Sequence, residues 1–367
     1  MEIAIFIIVL VVLIVVHEFG HFVAAKLSGM RVDEFGIGYP PRAATIATFG
    51  ETRYTLNWIP FGGFVKIYGE DASLDRARDA RAFSSKPRLA QALVLVAGIA
   101  MNLLFAYVLI TSALIVGTPR ALSHEEIAGA RDVELAVAGV LPGSPAARAG
   151  LAPGDVILWA EDGHFDFTGA DSAAFTEFVA KGKGNTTIAL VVRHGGGEEE
   201  TIFVRPEAGI IPSDASRAAL GVEVATIGVV PLSLGAALRE GAVLTWEVIK
   251  LTAVGLAHFF YGALTFSADL SQVAGPVGIA GVVGAASLQG LGGLFSIMAI
   301  ISINLALINL IPVPALDGGR LLFVIIESVI RRPIRPAIAR SVNAVGFALL
   351  LLLMVVITAH DIFKIVM

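Results

Sequence analysis

A helical membrane protein with about four crossings, a membrane-associated β-hairpin and one inserted α+β domain outside the bilayer is the fold class this sequence predicts. Three observations lead there. Of the 367 residues, 56% are hydrophobic and 16% charged, with a mean hydropathy of +0.80, whereas soluble domains carry about a quarter charged residues. Four apolar stretches, at 3–25, 90–116, 291–311 and 341–359, reach the roughly 20 residues needed to cross a bilayer. The acid-rich connection 117–290 holds strand-like runs punctuated by Gly and Pro, the pattern of a compact domain.

The first stretch stays apolar from Ile3 to Val16 and then reads His17-Glu18-Phe19-Gly20-His21. Its start has an acid and no small-residue cleavage site, which predicts a retained span rather than a signal peptide. Ionisable side chains cost at least a few kcal/mol each in hydrocarbon, so three within five residues call for a shared purpose. On a helix, i and i+4 share a face, and both imidazoles can reach one ion at about 2.0–2.1 Å. Glu18 is turned about 100° from His17. There it leans over the same site without filling a ligand position, placed to take a proton from a water that the metal acidifies. With no cysteine in the chain, any metal site is narrowed to His, Asp and Glu ligands.

Residues 31–69 follow, rich in Gly, aromatic and β-branched types with a turn signal at Phe49-Gly50, and read as a β-hairpin. Backbone of that kind at membrane depth has to be buried in protein or line a wet cavity. In the second span, Asn102 stands beside Gly98, Ala100 and Ala106, a composition suited to helix–helix packing in lipid. The loop 26–89 is rich in Lys and Arg, including Arg76 and Arg78, and the loop after the third span carries Arg320, Arg331, Arg332, Arg335 and Arg340. Basic loops face the cytoplasm. Both termini and the long connection are then expected outside, with the histidines and the end of the third span towards the cytoplasm.

Within the connection, 137–163 alternates strand, Gly/Pro turn, Ala-rich helix and strand, 171–182 has helical periodicity, and 186–206 reads as a hairpin. Residues 227–290 are expected to form amphipathic membrane-surface helices, because Arg239, Glu240, Glu247 and Lys250 interrupt the apolar pattern. A fifth span over 251–266 would be short and would set the polar groups of the first and third spans on opposite sides. At the end of the third span, Asp317 is flanked by Pro312, Pro314, Gly318 and Gly319. Proline breaks the helix and glycine permits a tight turn, which presents a carboxylate at membrane depth as the candidate third ligand. Asn304 and Asn309 in that span suit either substrate contact or helix packing. His124, His164, His194, His258 and His360 have no partner at ligand spacing. The net charge of −5 argues against nucleic acid as a partner.

Taken in order, HEFGH (17–21), GGFVK (62–66), FSSKPRLAQALVLVAGIAMN (83–102), LPGSPAARAGLAPGDVI (141–157) and NLIPVPALDGG (309–319) resemble the site-2 protease family, and most closely its bacterial regulator-of-sigma-E protease type. The resemblance spans essentially the whole chain. It implies an intramembrane zinc metalloprotease with His17, His21 and Asp317 as ligands of one Zn2+, Glu18 as catalytic base and Asn309 positioning the substrate. It also implies that 31–69 pairs with the substrate as an extended strand and that 122–226 is a PDZ domain taking a peptide or protein tail. The implied partners are membrane lipid and a single-span membrane protein, such as an anti-sigma factor already trimmed outside. The implied place is the bacterial inner membrane, with the PDZ domain extracytoplasmic. Two departures stand out: Gly98-Ile99-Ala100-Met101-Asn102 lacks the family's Gly-Pro, and there is room for one PDZ module rather than two. The competing reading is a non-catalytic PDZ membrane scaffold.

Overall fold

The computed structural model describes residues 2–70, 79–181, 186–195, 197–210, 217–265, 275–332 and 334–366. Arg76 and Arg78 of the basic loop, and 266–274 of the expected surface helices, lie outside the described residues. The chain forms two units: Val116–Leu232, and the two flanking segments Met1–Ile115 and Ser233–Met367 together.

In the first segment, helix α1 (Glu2–Leu27) contains no proline and one glycine. That glycine, Gly20, meets helix α2 (Arg88–Val116): a Cβ there would lie 2.8 Å from the Ala97 carbonyl carbon and from Met101 Cβ. Small residues let two helix backbones approach where hydrophobic force between them is weak. On α2 the stripe Val94, Gly98, Asn102, Ala106, Leu109 and Ala113 is buried, the periodicity of one packed helix face. Between the helices run strands β1 (Val32–Phe49) and β2 (Thr52–Ile67), paired from Val32↔Ile67 to Phe49↔Thr52, with residues 34–37 of β1 paired on both sides, to 63–66 and to 53–56 of β2. Gly50, at φ 60°, closes the turn. The hairpin leans on α1, where Phe22 meets Phe35 edge-on at 5.6 Å. Ala25, Met30, Val32, Ile67, Phe83, Val94 and Leu95 form a buried cluster at its base.

The second unit holds a sheet in the order β3 (Pro119–Ala121), β9 (Val222–Val229), β4 (Arg131–Val140), β5 (Val156–Glu161), β7 (Ile188–Arg193), β8 (Glu199–Val204), with β6 (Asp166–Phe167) on β5. Helices α3 (Pro145–Arg148) and α4 (Ser172–Lys181) complete it. In β7, Ile188, Leu190 and Val192 point to the core in strict alternation, as a half-buried strand requires. Phe175 of α4 fills the centre.

After it come α5 (Leu234–Leu264), α6 (Pro276–Leu288), α7 (Gly290–Leu310), α8 (Asp317–Ile330) and α9 (Pro336–Val366). The structure departs from the sequence reading in two places. Residues 234–262 form one unbroken helix that, like 3–27, 88–116, 290–310 and 337–363, is long and apolar enough to cross a membrane, so candidate spans among the described residues number five, against four expected crossings. The charges that suggested an amphipathic surface helix cluster in 239–250, and the rest of α5 is uncharged apart from His258. Second, the expected loop after the third span is mostly helix α8, and Asp317 begins that helix instead of ending α7.

Candidate metal centre

One turn of α1 puts His17 and His21 on the same face, with their Nε2 atoms 3.1 Å apart. Asp317 Oδ2 lies 2.9 Å from the first and 3.1 Å from the second. All three side chains are mostly buried. Among the described residues these form the one group of His, Cys, Asp and Glu whose ligand atoms converge within 4.8 Å.

The carboxylate arrives there because of the backbone that precedes it. The chain leaves α7 at Leu310 and folds back over the start of α8, so that a Cβ at Gly318 would lie 2.6 Å from the Leu310 carbonyl carbon and one at Gly319 2.7 Å from that of Val313. Ala315 takes φ 77° in this turn, and its N–H donates to Asn343 Oδ1 of α9 at 3.3 Å. Gly346 leaves room for Pro314: a Cβ there would come 2.9 Å from the Pro314 carbonyl carbon. The motif's glycines thus serve close backbone approach.

The donor set fits a zinc ion. Two imidazole nitrogens and a carboxylate oxygen are ordinary zinc ligands, and ligands at about 2.0–2.1 Å around a tetrahedral ion stand roughly 3.3 Å apart, close to the separations here. Room for the cluster comes from Gly98 of α2, where a Cβ would lie 2.7 Å from His21 Cε1 and 2.9 Å from His17 Cε1. The outer nitrogens are engaged as well. His21 Nδ1 is 2.7 Å from the Val94 carbonyl oxygen, and His17 Nδ1 is 3.2 Å from the Asn102 side-chain amide. Such outer partners orient ligating imidazoles.

Glu18 stays outside the triangle but within electrostatic reach of all three groups, with the Val65 backbone N–H of β2 close to its carboxylate. A Cβ at Gly63 would stand 3.6 Å from Glu18 Cγ, so the GGFVK strand passes directly beside it. Asn309 is half-buried in the last turn of α7, next to Leu310, and its side chain makes no hydrogen bond among the described residues. Asn102 and Gly98 were missed by sequence reasoning as site residues. Their i, i+4 spacing, matching that of His17 and His21, was the available signal. His194, without a partner by sequence spacing, sits between Asp155 and Glu200 in the second unit.

The sequence profile of peptidase family M50 matches residues 5–353. The chain belongs to peptidase family M50. This M50 peptidase is 36% identical over 350 residues to a Clostridium perfringens protein named as a zinc metalloprotease, covering 95% of each chain. It is 32% identical over 327 residues to a membrane metalloprotease of Arabidopsis thaliana chloroplasts, covering 88% of this chain and 69% of that one. A PDZ domain of an SdrC-like protein from Listeria monocytogenes aligns with 24% of the chain and 85% of its own, at 23% identity and TM-score 0.21. The protein is a membrane zinc metalloprotease, a peptide hydrolase.

Proposed function

We propose that this M50 peptidase cleaves single-span membrane proteins within or near their transmembrane segments, with His17, His21 and Asp317 holding the zinc and Glu18 acting as base. The observation that carries the reading is the convergence of three ligand atoms from α1 and α8 next to Glu18. A zinc ion held there would supply Lewis-acid polarisation of the scissile carbonyl and lower the pKa of the attacking water. Glu18 accepts the proton of that water at a carboxylate oxygen as the water oxygen bonds to the carbonyl carbon. It then returns the proton to the leaving nitrogen as the C–N bond breaks. β2 passes beside Glu18 at Gly63, which sets the base next to the hairpin.

A substrate helix satisfies its own amides and resists attack, so cleavage requires local unwinding. The sheet of β1 and β2, in which residues 34–37 are paired on both sides, leaves outer edges on which an unwound segment can pair as an extra strand. Asn309, whose amide makes no hydrogen bond among the described residues at the end of α7, is the proposed polar contact for that segment.

The unit Val116–Leu232 is proposed to be a PDZ-type module taking a peptide tail. Supporting this, a cavity of about 500 Å³ lies between α4 and β9, lined by Leu141, Phe175, Val179, Leu220, Gly221 and Val222. The short β3 pairs only with residues 227–229 of β9, so the strand's first half offers an edge for strand addition.

Four crossings in the bacterial inner membrane, with the termini and the inserted unit outside, remain the proposed topology, and α5 is assigned to the membrane surface. At its start α5 is tied to α2, where Tyr107 donates to the Leu238 carbonyl at 3.2 Å. At the start of α6, Gly278 N–H donates to Asp361 Oδ2 at 2.9 Å, about 22 Å along α9 from the Gly346 that meets Pro314 beside the site. The start of α5 and the start of α6 thus both lie away from the metal ligands. A crossing by α5 would leave only residues 265–277 to bring the chain back, fewer than the roughly 20 that a helical crossing needs.

Glu18→Gln tests the catalytic assignment in the full-length protein, reconstituted with a panel of single-span substrates with trimmed ectodomains. Turnover should fall at least a hundredfold while zinc content stays at the level of the unaltered enzyme. Unchanged turnover would sink the assignment of Glu18 as base.

A further inference from the structure

Asn102 is fully buried in α2, and its level in the bundle is fixed by Ser302 of α7, whose hydroxyl donates to the Asn102 backbone carbonyl at 2.8 Å. Its side-chain amide meets Nδ1 of His17 at 3.2 Å. His21 offers the comparison. Its Nδ1 faces the Val94 carbonyl oxygen at 2.7 Å, and a carbonyl oxygen only accepts, so that nitrogen carries the proton and Nε2 keeps its lone pair for the shared point. His17 needs the same tautomer for its own Nε2 to serve as a ligand. Its Nδ1–H then needs an acceptor, and the Asn102 amide is the group within hydrogen-bond distance of it.

The two ends of an amide have nearly the same shape, and the hydrogen-bond network decides which end faces a neighbour. With the nitrogen end towards His17, Asn102 Oδ1 is buried without a partner among the described residues. Turned the other way, Oδ1 accepts from His17 Nδ1–H, and the imidazole presents Nε2 beside His21 and Asp317. We propose that Asn102 is a positioning residue whose side-chain oxygen holds His17 in the tautomer and ring orientation that metal binding requires. This rests on the reading of His17 as a ligand. It goes beyond packing because a residue of equal size without an acceptor would fill the same space and leave the ring free to turn.

The test compares Asn102→Leu, which keeps the volume and removes the acceptor, with Asn102→Asp, which keeps an acceptor. Both are made in the full-length detergent-purified protein, alongside the unaltered chain. Zinc affinity is measured by chelator competition, the cobalt(II)-substituted absorption spectrum reports ligand geometry, and the unfolding temperature of the metal-free protein reports the fold. Asn102→Leu should bind zinc 10–100-fold more weakly, with an altered cobalt spectrum, while Asn102→Asp stays within a few-fold of the unaltered chain. Should Asn102→Leu not fold, Asn102→Ala removes the acceptor without adding bulk and carries the same expectation. Equal weakening in acceptor-free and acceptor-bearing variants, or no weakening in either, overturns the proposal and leaves a packing role. An unaltered chain that holds no zinc overturns the ligand assignment of His17 and this inference with it. A zinc-replete chain indifferent to Asn102→Leu overturns this inference alone.

Discussion

His194, just past β7, lies 2.9 Å from Asp155 Oδ1 through Nδ1 and 3.3 Å from Glu200 Oε2 through Nε2. The hydrogen bond to Asp155, followed by the charges of the two carboxylates, raises its pKa above the ordinary 6.5. A group whose folded pKa is raised contributes its stability in full below the unfolded value, and that contribution is lost as pH rises through the folded pKa. Protection of β7 and β8 against hydrogen exchange, corrected for intrinsic rates, should therefore be greater at pH 6 than at pH 8.5. His194→Gln should flatten that difference, and an unchanged difference would remove His194 as its cause. The same residue shows why some of the chemistry was hidden in the sequence: Asp155 stands 39 positions before it, and only the pairing of β5 with β7 brings the two together. Gly98 and Asn102 were hidden in the same way. Glycine and asparagine in an apolar helix read as packing residues until a second helix supplies the histidines they face.

Helix α8 carries Asp317 on its first residue, and ion pairs grip it near both ends. Arg320, in its first turn, pairs with Glu70 at the foot of the hairpin. Glu327, in its last turn, lies 2.6 Å from Arg88 at the start of α2 and accepts from the Ile334 N–H at 2.8 Å. A carboxylate ligand is only as well placed as the helix that bears it, so loosening this grip should be felt at the metal. Reversing one partner, Glu70→Arg, is expected to weaken zinc binding about tenfold, an effect of the size seen for outer-shell changes. Adding Arg320→Glu should recover most of the loss. If the double variant is as weak as the sum of the two single changes, the pair is not coupled and the positioning argument fails. At this scale the sequence was legible where apolar runs were clean, as in α1, α2 and α7. It was less legible where charge and apolar character share one helix, as in α5, and where a proline-rich turn concealed the immediate restart of helix in α8.

The molecule's central feature is a contact between residues some 300 positions apart. HEFGH declares half of the proposed metal site by spacing alone, because i and i+4 share a helix face. LDGG declares a carboxylate on a tight turn, but nothing local in either motif says that the two meet. The joining depends on Gly20 and Gly98 letting α1 and α2 close together, and on the folded-back turn over Gly318 and Gly319 aiming Asp317 at that crossing. The most direct test of this account is the zinc content of the full-length detergent-purified protein, measured beside His21→Ala and Asp317→Ala with folding checked in each. The account predicts about one tightly held zinc per chain in the unaltered protein and its loss in both variants. A folded Asp317→Ala that keeps its zinc as tightly as the unaltered chain would contradict it.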